Sequence, residues 1–120
     1  MRVFTTLPQH NLRRAAERAR EIEAQGFDGI VTMENKHDPF LALGAAATVT
    51  ERAELTTGIA ISFNRSPMVA ANAGWDLYES TGGRFALGLG TQIRAHNEKR
   101  FSVPWSAPAP RMRTARPANW

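Results

Sequence analysis

The chain has 120 residues, 42% of them hydrophobic and 22% charged, and no cysteine. That length holds one domain at most, of ordinary globular composition. A disulfide framework is excluded, and a reducing, cytoplasmic setting is expected. The start, MRVFTTLPQH, has no apolar run long enough for a signal peptide or a membrane span, so no membrane role is expected.

The formal net charge of +4 would suit a nucleic-acid partner, but its distribution does not. Residues 1–90 hold nine Lys/Arg against ten Asp/Glu, whereas residues 91–120 hold six against one. The basic excess sits at the end of the chain, together with Pro104, Pro108, Pro110 and Pro117. Nucleic-acid binding usually needs a basic face on a fold, so none is expected. Residues 102–120 read instead as a Pro/Arg-rich irregular tail.

Residues 2–7, RVFTTL, are β-branched and apolar and predict a strand. Asn11 can cap a helix whose apolar positions Leu12, Ala15, Ala16, Ala19 and Ile22 form one stripe, and Gly26 supplies its left-handed end. The run 27–33, FDGIVTM, is apolar without alternation, as in strands buried on both faces of a parallel sheet. Asp38-Pro39 starts a second helix over 39–51, and 55–63, LTTGIAISF, predicts a third strand. Ser66-Pro67 repeats the cap-plus-proline start. Met68, Ala71, Trp75 and Tyr78, three and four apart, are expected to face the core, and Gly82-Gly83 stops this helix. Residues 84–89, RFALGL, predict a fourth strand.

Strands alternating with helices imply βαβ units and a parallel sheet with right-handed crossovers. A doubly wound sheet often carries G-x-G-x-x-G after its first strand, but here that turn is Thr5-Thr6-Leu7-Pro8. Gly88-Leu89-Gly90 follows the fourth strand, and the third glycine position is Ile93. A (β/α)8 TIM barrel fits better. It takes roughly 250 residues, so about four βα units make half of one.

In parallel α/β folds the site lies at the C-terminal ends of the strands. That places Thr5 and Thr6, then Glu34, Asn35 and His37, then Asn64 and Arg65, then Thr91 and Gln92 at one mouth. The cluster Glu34 to Asp38 has two readings. A carboxylate beside an imidazole can move protons; alternatively Asp38 caps a helix while Glu34 and His37 are solvated. Gly58 inside an apolar strand marks close approach of a ligand or plain packing. Gly88 and Gly90 leave room for a flat ligand or merely end a strand. His10, His37 and His96 lack metal-ligand spacing, so no metal site is expected. No serine sits in a nucleophile elbow.

The run Thr57 to Ala71, TGIAISFNRSPMVAA, is similar to the third-strand and helix signature of the luciferase-like monooxygenase superfamily. Gly83 to Gly90, GRFALGLG, and Gln25 to Gly29, QGFDG, resemble the same family, and Gln92 to Phe101 resembles its F420-dependent branch. The resemblance covers roughly residues 1–113. It implies a (β/α)8 barrel binding F420, or alternatively FMN, at the strand C-termini, and hydride transfer between that cofactor and a small organic substrate. It implies a non-proline cis peptide at Gly58-Ile59 behind the ring, with Gly58, Ile59, Ala60, Gly88, Gly90 and Thr91 as cofactor-binding residues. Where some members carry an acidic residue and a histidine, this sequence has Glu34 and Asn35, the candidate catalytic pair; Asn35 is neither acid nor base, so Glu34 is the better proton carrier.

On this reading residues 1–101 form the N-terminal half of the barrel. The segment Thr114 to Trp120, TARPANW, departs from the helix that family members begin there, as a truncation or frameshift would produce. A half-barrel exposes two sheet edges, so self-association is expected. The alternative is a non-catalytic half-barrel that self-assembles or complements a separate C-terminal half.

Overall fold

The computed structural model describes residues 1–114, and the remainder of the TARPANW segment lies outside the described residues. The elements alternate: β1 (Phe4–Thr5), α1 (Leu12–Ala24), β2 (Gly29–Thr32), α2 (Pro39–Ala47), β3 (Glu54–Thr57), β4 (Ala60–Ile61), a 3-10 turn (Ser62–Asn64) and α3 (Pro67–Ser80). Then follow β5 (Phe85–Ala86), β6 (Leu89–Gly90), α4 (Arg94–Arg100) and α5 (Pro108–Thr114).

The main sheet is parallel and ordered β1-β2-β3-β5, with Ile30 opposite Leu55 and Leu55 opposite Phe85. Strand order therefore follows chain order, as consecutive barrel units require. A doubly wound sheet would reverse direction within its order. β4 and β6 pair in parallel as the continuations of β3 and β5. The predicted third strand is thus split: the Gly58-Ile59 peptide is cis, and the chain turns into the 3-10 helix after Ile61.

The helix starts follow the sequence. Asn11 accepts from the Arg14 N–H, Asp38 from Phe40 and Leu41, and Ser66 from Val69. Gly26 has φ +88° at the end of α1, a backbone that a Cβ disfavours. α2 stops at Ala47, short of the expected 51, because the Thr48 and Thr50 hydroxyls donate to the last-turn carbonyls of Ala45 and Ala46.

The core lies between the sheet and the helices. Ile30, Leu55 and Phe85 project into it, met by Ala15, Ala19 and Ile22 of α1 and by Phe40, Leu43 and Ala46 of α2. The opposite face is open: Phe4, Val31 and Thr56 are half-buried and Ala86 is exposed. The expectation that β2 is buried on both faces therefore fails among the described residues, where helices cover one side only.

α3 corrects a second expectation. Ala71 is buried, but Met68, Trp75 and Tyr78 are 60%, 54% and 44% exposed. The packed face is Ala70, Ala71, Gly74 and Leu77. Small residues let the helix approach closely, while Trp75 and Tyr78 stack on each other outside, ring centroids 5.8 Å apart. Of the expected stripe only Ala71 belongs to the packed face, because small residues carry little hydrophobic signal.

The tail is not irregular throughout. α5 begins at Pro108, whose fixed φ suits the first turn of a helix. It docks on the 3-10 turn, with the Arg111 guanidinium 4.4 Å from the Phe63 ring centroid and the Ser62 hydroxyl 2.8 Å from Met112 Sδ. Among the described residues no helix is long and apolar enough to cross a membrane.

Candidate functional site

The turns after β2 and β4 converge on a cleft of about 300 Å³, lined by Glu34, Asn35, Lys36, His37, Asp38, Asn64, Arg65 and Phe101. Five of the residues assigned to the mouth from sequence, Glu34, Asn35, His37, Asn64 and Arg65, therefore meet. Thr5 and Thr6 at the end of β1, and Thr91 and Gln92 after β6, do not line it. The Thr91 carbonyl instead accepts from Asn97 Nδ2 at 2.9 Å, and Gln92 takes φ +55°.

Glu34 is 6% exposed and fully engaged. Its Oε2 accepts from the Ile61 N–H at 2.5 Å and from Arg65 Nη1 at 2.7 Å; its Oε1 accepts from Asn64 Nδ2 at 2.8 Å. Arg65 Nη2 reaches Asp38 Oδ2 at 2.9 Å, and its guanidinium lies 5.0 Å from the Phe40 ring centroid. Burial alone lowers the Arg65 pKa, but the hydrogen bonds and charges of Glu34 and Asp38 outweigh it and hold the group above its ordinary value. Removing one partner of such a buried pair costs about 3–5 kcal/mol, because the other charge is stranded. The solvated reading of Glu34 is thereby corrected. Asp38 does cap α2 as expected, while its second oxygen serves the ion pair.

Asn35, Lys36 and His37 are exposed on the rim. Asn35 Oδ1 accepts from the Lys36 N–H, and the Asn35 carbonyl accepts from the Arg100 guanidinium, which ties α4 to the cleft. His37 faces His10, ring centroids 6.3 Å apart. Among the described residues no three metal-ligating side chains come together.

The three glycines of the candidate cofactor bed differ. A Cβ on Gly88 would lie 2.0 Å from the Thr57 carbonyl oxygen, so its missing side chain admits the neighbouring strand. Thr57 completes that contact: its hydroxyl donates to the Gly88 carbonyl and accepts from the Gly88 N–H. A Cβ on Gly90 would meet the Ile59 side chain at 2.6 Å. Gly58 alone is exposed, and a Cβ there would meet only Val31 Cγ2, at 2.6 Å, on the open face. Ile59 is half-buried and Ala60 buried, with the Ala60 N–H donating to the Gly88 carbonyl at 2.8 Å.

Sequence reasoning missed three residues. Gln9 extends the sheet by side chain, donating to the Met33 carbonyl at 2.8 Å and accepting from its N–H at 3.1 Å. Phe101 lines the cleft, and Asn97 is fully buried. A polar residue in an exposed-looking helix (RAHNEKR) gives no periodic signal for burial.

A sequence profile of the luciferase-like monooxygenase family matches residues 1–115. The chain is 58% identical over 104 residues to the uncharacterized protein Rv1360 of Mycobacterium tuberculosis, covering 87% of this chain and 31% of that one. Its fold is similar to the F420-dependent tetrahydromethanopterin reductase of Methanopyrus kandleri, with TM-score 0.75, 24% identity, and 87% and 30% of the two chains covered. It is also similar to the oxygenating constituent of 3,6-diketocamphane monooxygenase from Pseudomonas putida, solved in complex with FMN, with TM-score 0.81, 14% identity, and 96% and 38% covered. The chain thus spans about a third of the length of the relatives it matches. The parallel sheet corresponds to the first strands of their TIM barrels.

Proposed function

The chain belongs to the luciferase-like monooxygenase family, and on that premise we propose that it supplies the N-terminal part of a flavin- or deazaflavin-dependent oxidoreductase site. Residues 1–101 are the barrel portion, and the described residues beyond them end in α5 (Pro108–Thr114). F420 is the favoured cofactor, with FMN as the alternative. The observation that carries this reading is the open bed at the strand ends. There Gly58 presents bare backbone beside Val31, next to a cleft formed by the turns after β2 and β4.

The residues fit a flat ring system. Val31, Thr56, Gly58, Ile59 and Ala86 form a low, small-to-apolar surface with no charged side chain among them. When bound, such a cofactor supplies hydride transfer. This chain's residues bind and orient. Gly58 lets the ring approach the backbone, and Ile59, lying over Gly90, backs it. Asn35 offers a neutral amide on the rim to a small organic substrate. Glu34 is held between Arg65, Asn64 and Ile61, so its carboxylate shapes the site. His37 lines the same cleft and is exposed, so its imidazole is open to a small substrate. Barrels commonly hold phosphate in the loops after strands 7 and 8, beyond the first four units matched here.

Fluorescence titration of the folded chain with F420 and with FMN tests this. Saturable binding of one, competed by the other, is expected; absence of binding to both contradicts it. A second reading, a half-barrel that pairs with another chain, is favoured by the exposed face at Ala86 and the edges at β1 and β5. A stable monomer by light scattering contradicts that second reading.

A further inference from the structure

We propose that Arg65 is the positioning residue of this site: it holds the Glu34 carboxylate where it brackets the backbone after the split in the third strand. Glu34 grips that backbone twice. Its own N–H donates to the Ile59 carbonyl at 3.1 Å, and its carboxylate accepts the Ile61 N–H at 2.5 Å. The two contacts straddle Ala60 and fix how β4 leaves the Gly58-Ile59 bed. The Ile61 N–H therefore has a side-chain acceptor from the neighbouring unit, contributed across 27 residues of sequence.

A carboxylate on a turn has several rotamers, and the one adopted reaches the Ile61 N–H. Arg65 selects it. One guanidinium nitrogen binds Glu34 and the other binds Asp38, whose remaining oxygen caps α2. The planar fork thus places one nitrogen on each of two acids at the two ends of the β2–α2 turn, a fixed geometry that a compact ammonium reproduces only in part. Arg65 reaches the backbone after the split mainly through Glu34, at 2.7 Å, with a longer bond of its own to the Ile61 carbonyl at 3.4 Å; the Ile61 N–H itself is held by Glu34 alone among the bonds described. The cofactor part of this inference rests on the flavin-type reading above; the backbone part does not.

The test pairs amide hydrogen exchange with cofactor titration on the full chain, comparing wild type, Arg65→Met and Arg65→Lys. In Arg65→Met the Ile61 amide should exchange at least tenfold faster, with the sheet amides of Ile30 and Leu55 unchanged. Affinity for F420 or FMN should fall at least tenfold, and Arg65→Lys should recover part of both losses. If Arg65→Met does not fold, Arg65→Lys carries the test with a smaller acceleration confined to Ile61. Unchanged Ile61 protection, or equal acceleration across the whole sheet, overturns the proposal. So does lost Ile61 protection with wild-type affinity. If wild type binds neither cofactor, the flavin reading fails, and Ile61 exchange still decides whether Arg65 positions Glu34.

Discussion

The two ends of the sheet each hold an acid and an arginine, but they satisfy them differently. At the end where the strands begin, Glu23 accepts the backbone N–H groups of Glu51, Arg52 and Ala53. Beside it Arg84 donates to the carbonyls of Thr50, Ala53 and Thr81. Each charge there is spent on loop backbone, and the two side chains hold the N–H and the carbonyl of the same residue, Ala53. At the end where the strands finish, Glu34 and Arg65 satisfy each other and Asp38, and they face a cleft. The first arrangement closes loops. The second sets a geometry that one substitution can release, which suits a site. Parallel barrels divide stability and chemistry between their ends in the same way.

The strongest way to break this division is Gly88→Ala. Gly88 lies at the mouth, yet its contact is with the Thr57 backbone, which cannot move without parting the strands. A loss of about 3 kcal/mol in chemical denaturation is expected. A neutral outcome would mean the strands are less tightly joined than described. Next comes Arg84→Ala, which leaves the carbonyls of Thr50 and Ala53 without this donor. About 2 kcal/mol should be lost by the same measurement, with cofactor affinity of the folded protein unchanged.

Glu23→Gln sharpens the contrast through pH. Burial raises the Glu23 pKa, but the backbone N–H groups of Ala53, Glu51 and Arg52, with the Arg52 charge, lower it further, for a net lowering. The unfolded chain therefore binds this proton more readily. The stabilisation is complete above the ordinary glutamate range and is lost as pH falls through the lower folded value. Wild type should exceed Glu23→Gln by about 1 kcal/mol at neutral pH, with the gap closing in acid, as followed by melts across pH. The smallest effect belongs to the exposed Arg94–Glu98 pair of α4: Glu98→Ala should cost less than about 0.5 kcal/mol, and salt should erase it.

Much of this was legible in the sequence where a local rule decides. Asn11, Asp38 and Ser66 as caps, Gly26 as a helix end, and the βα alternation all depend on neighbours close in the chain. The cis Gly58-Ile59 bond was legible only through family resemblance. What escaped depends on contacts between distant segments. The buried face of α3 is made of alanine and glycine, which carry little hydrophobic signal. Gly88 serves a strand 31 residues away. The ion pair of Glu34 with Arg65 joins two turns whose residues were each assigned to the mouth, but nothing in their spacing pairs them. Helix α5 was hidden by its prolines, which suit a first turn as well as an irregular arm.

The central claim is that the mouth, and Gly58 in particular, receives a flavin-type ring while the opposite end serves the fold alone. The direct measurement is the dissociation constant for F420 and FMN of wild type, Gly58→Val and Glu23→Gln, each shown folded by circular dichroism. The account predicts at least a tenfold loss for Gly58→Val, whose side chain would stand in the bed, and wild-type affinity for Glu23→Gln. Equal losses in both variants, or undiminished binding by Gly58→Val, would contradict it.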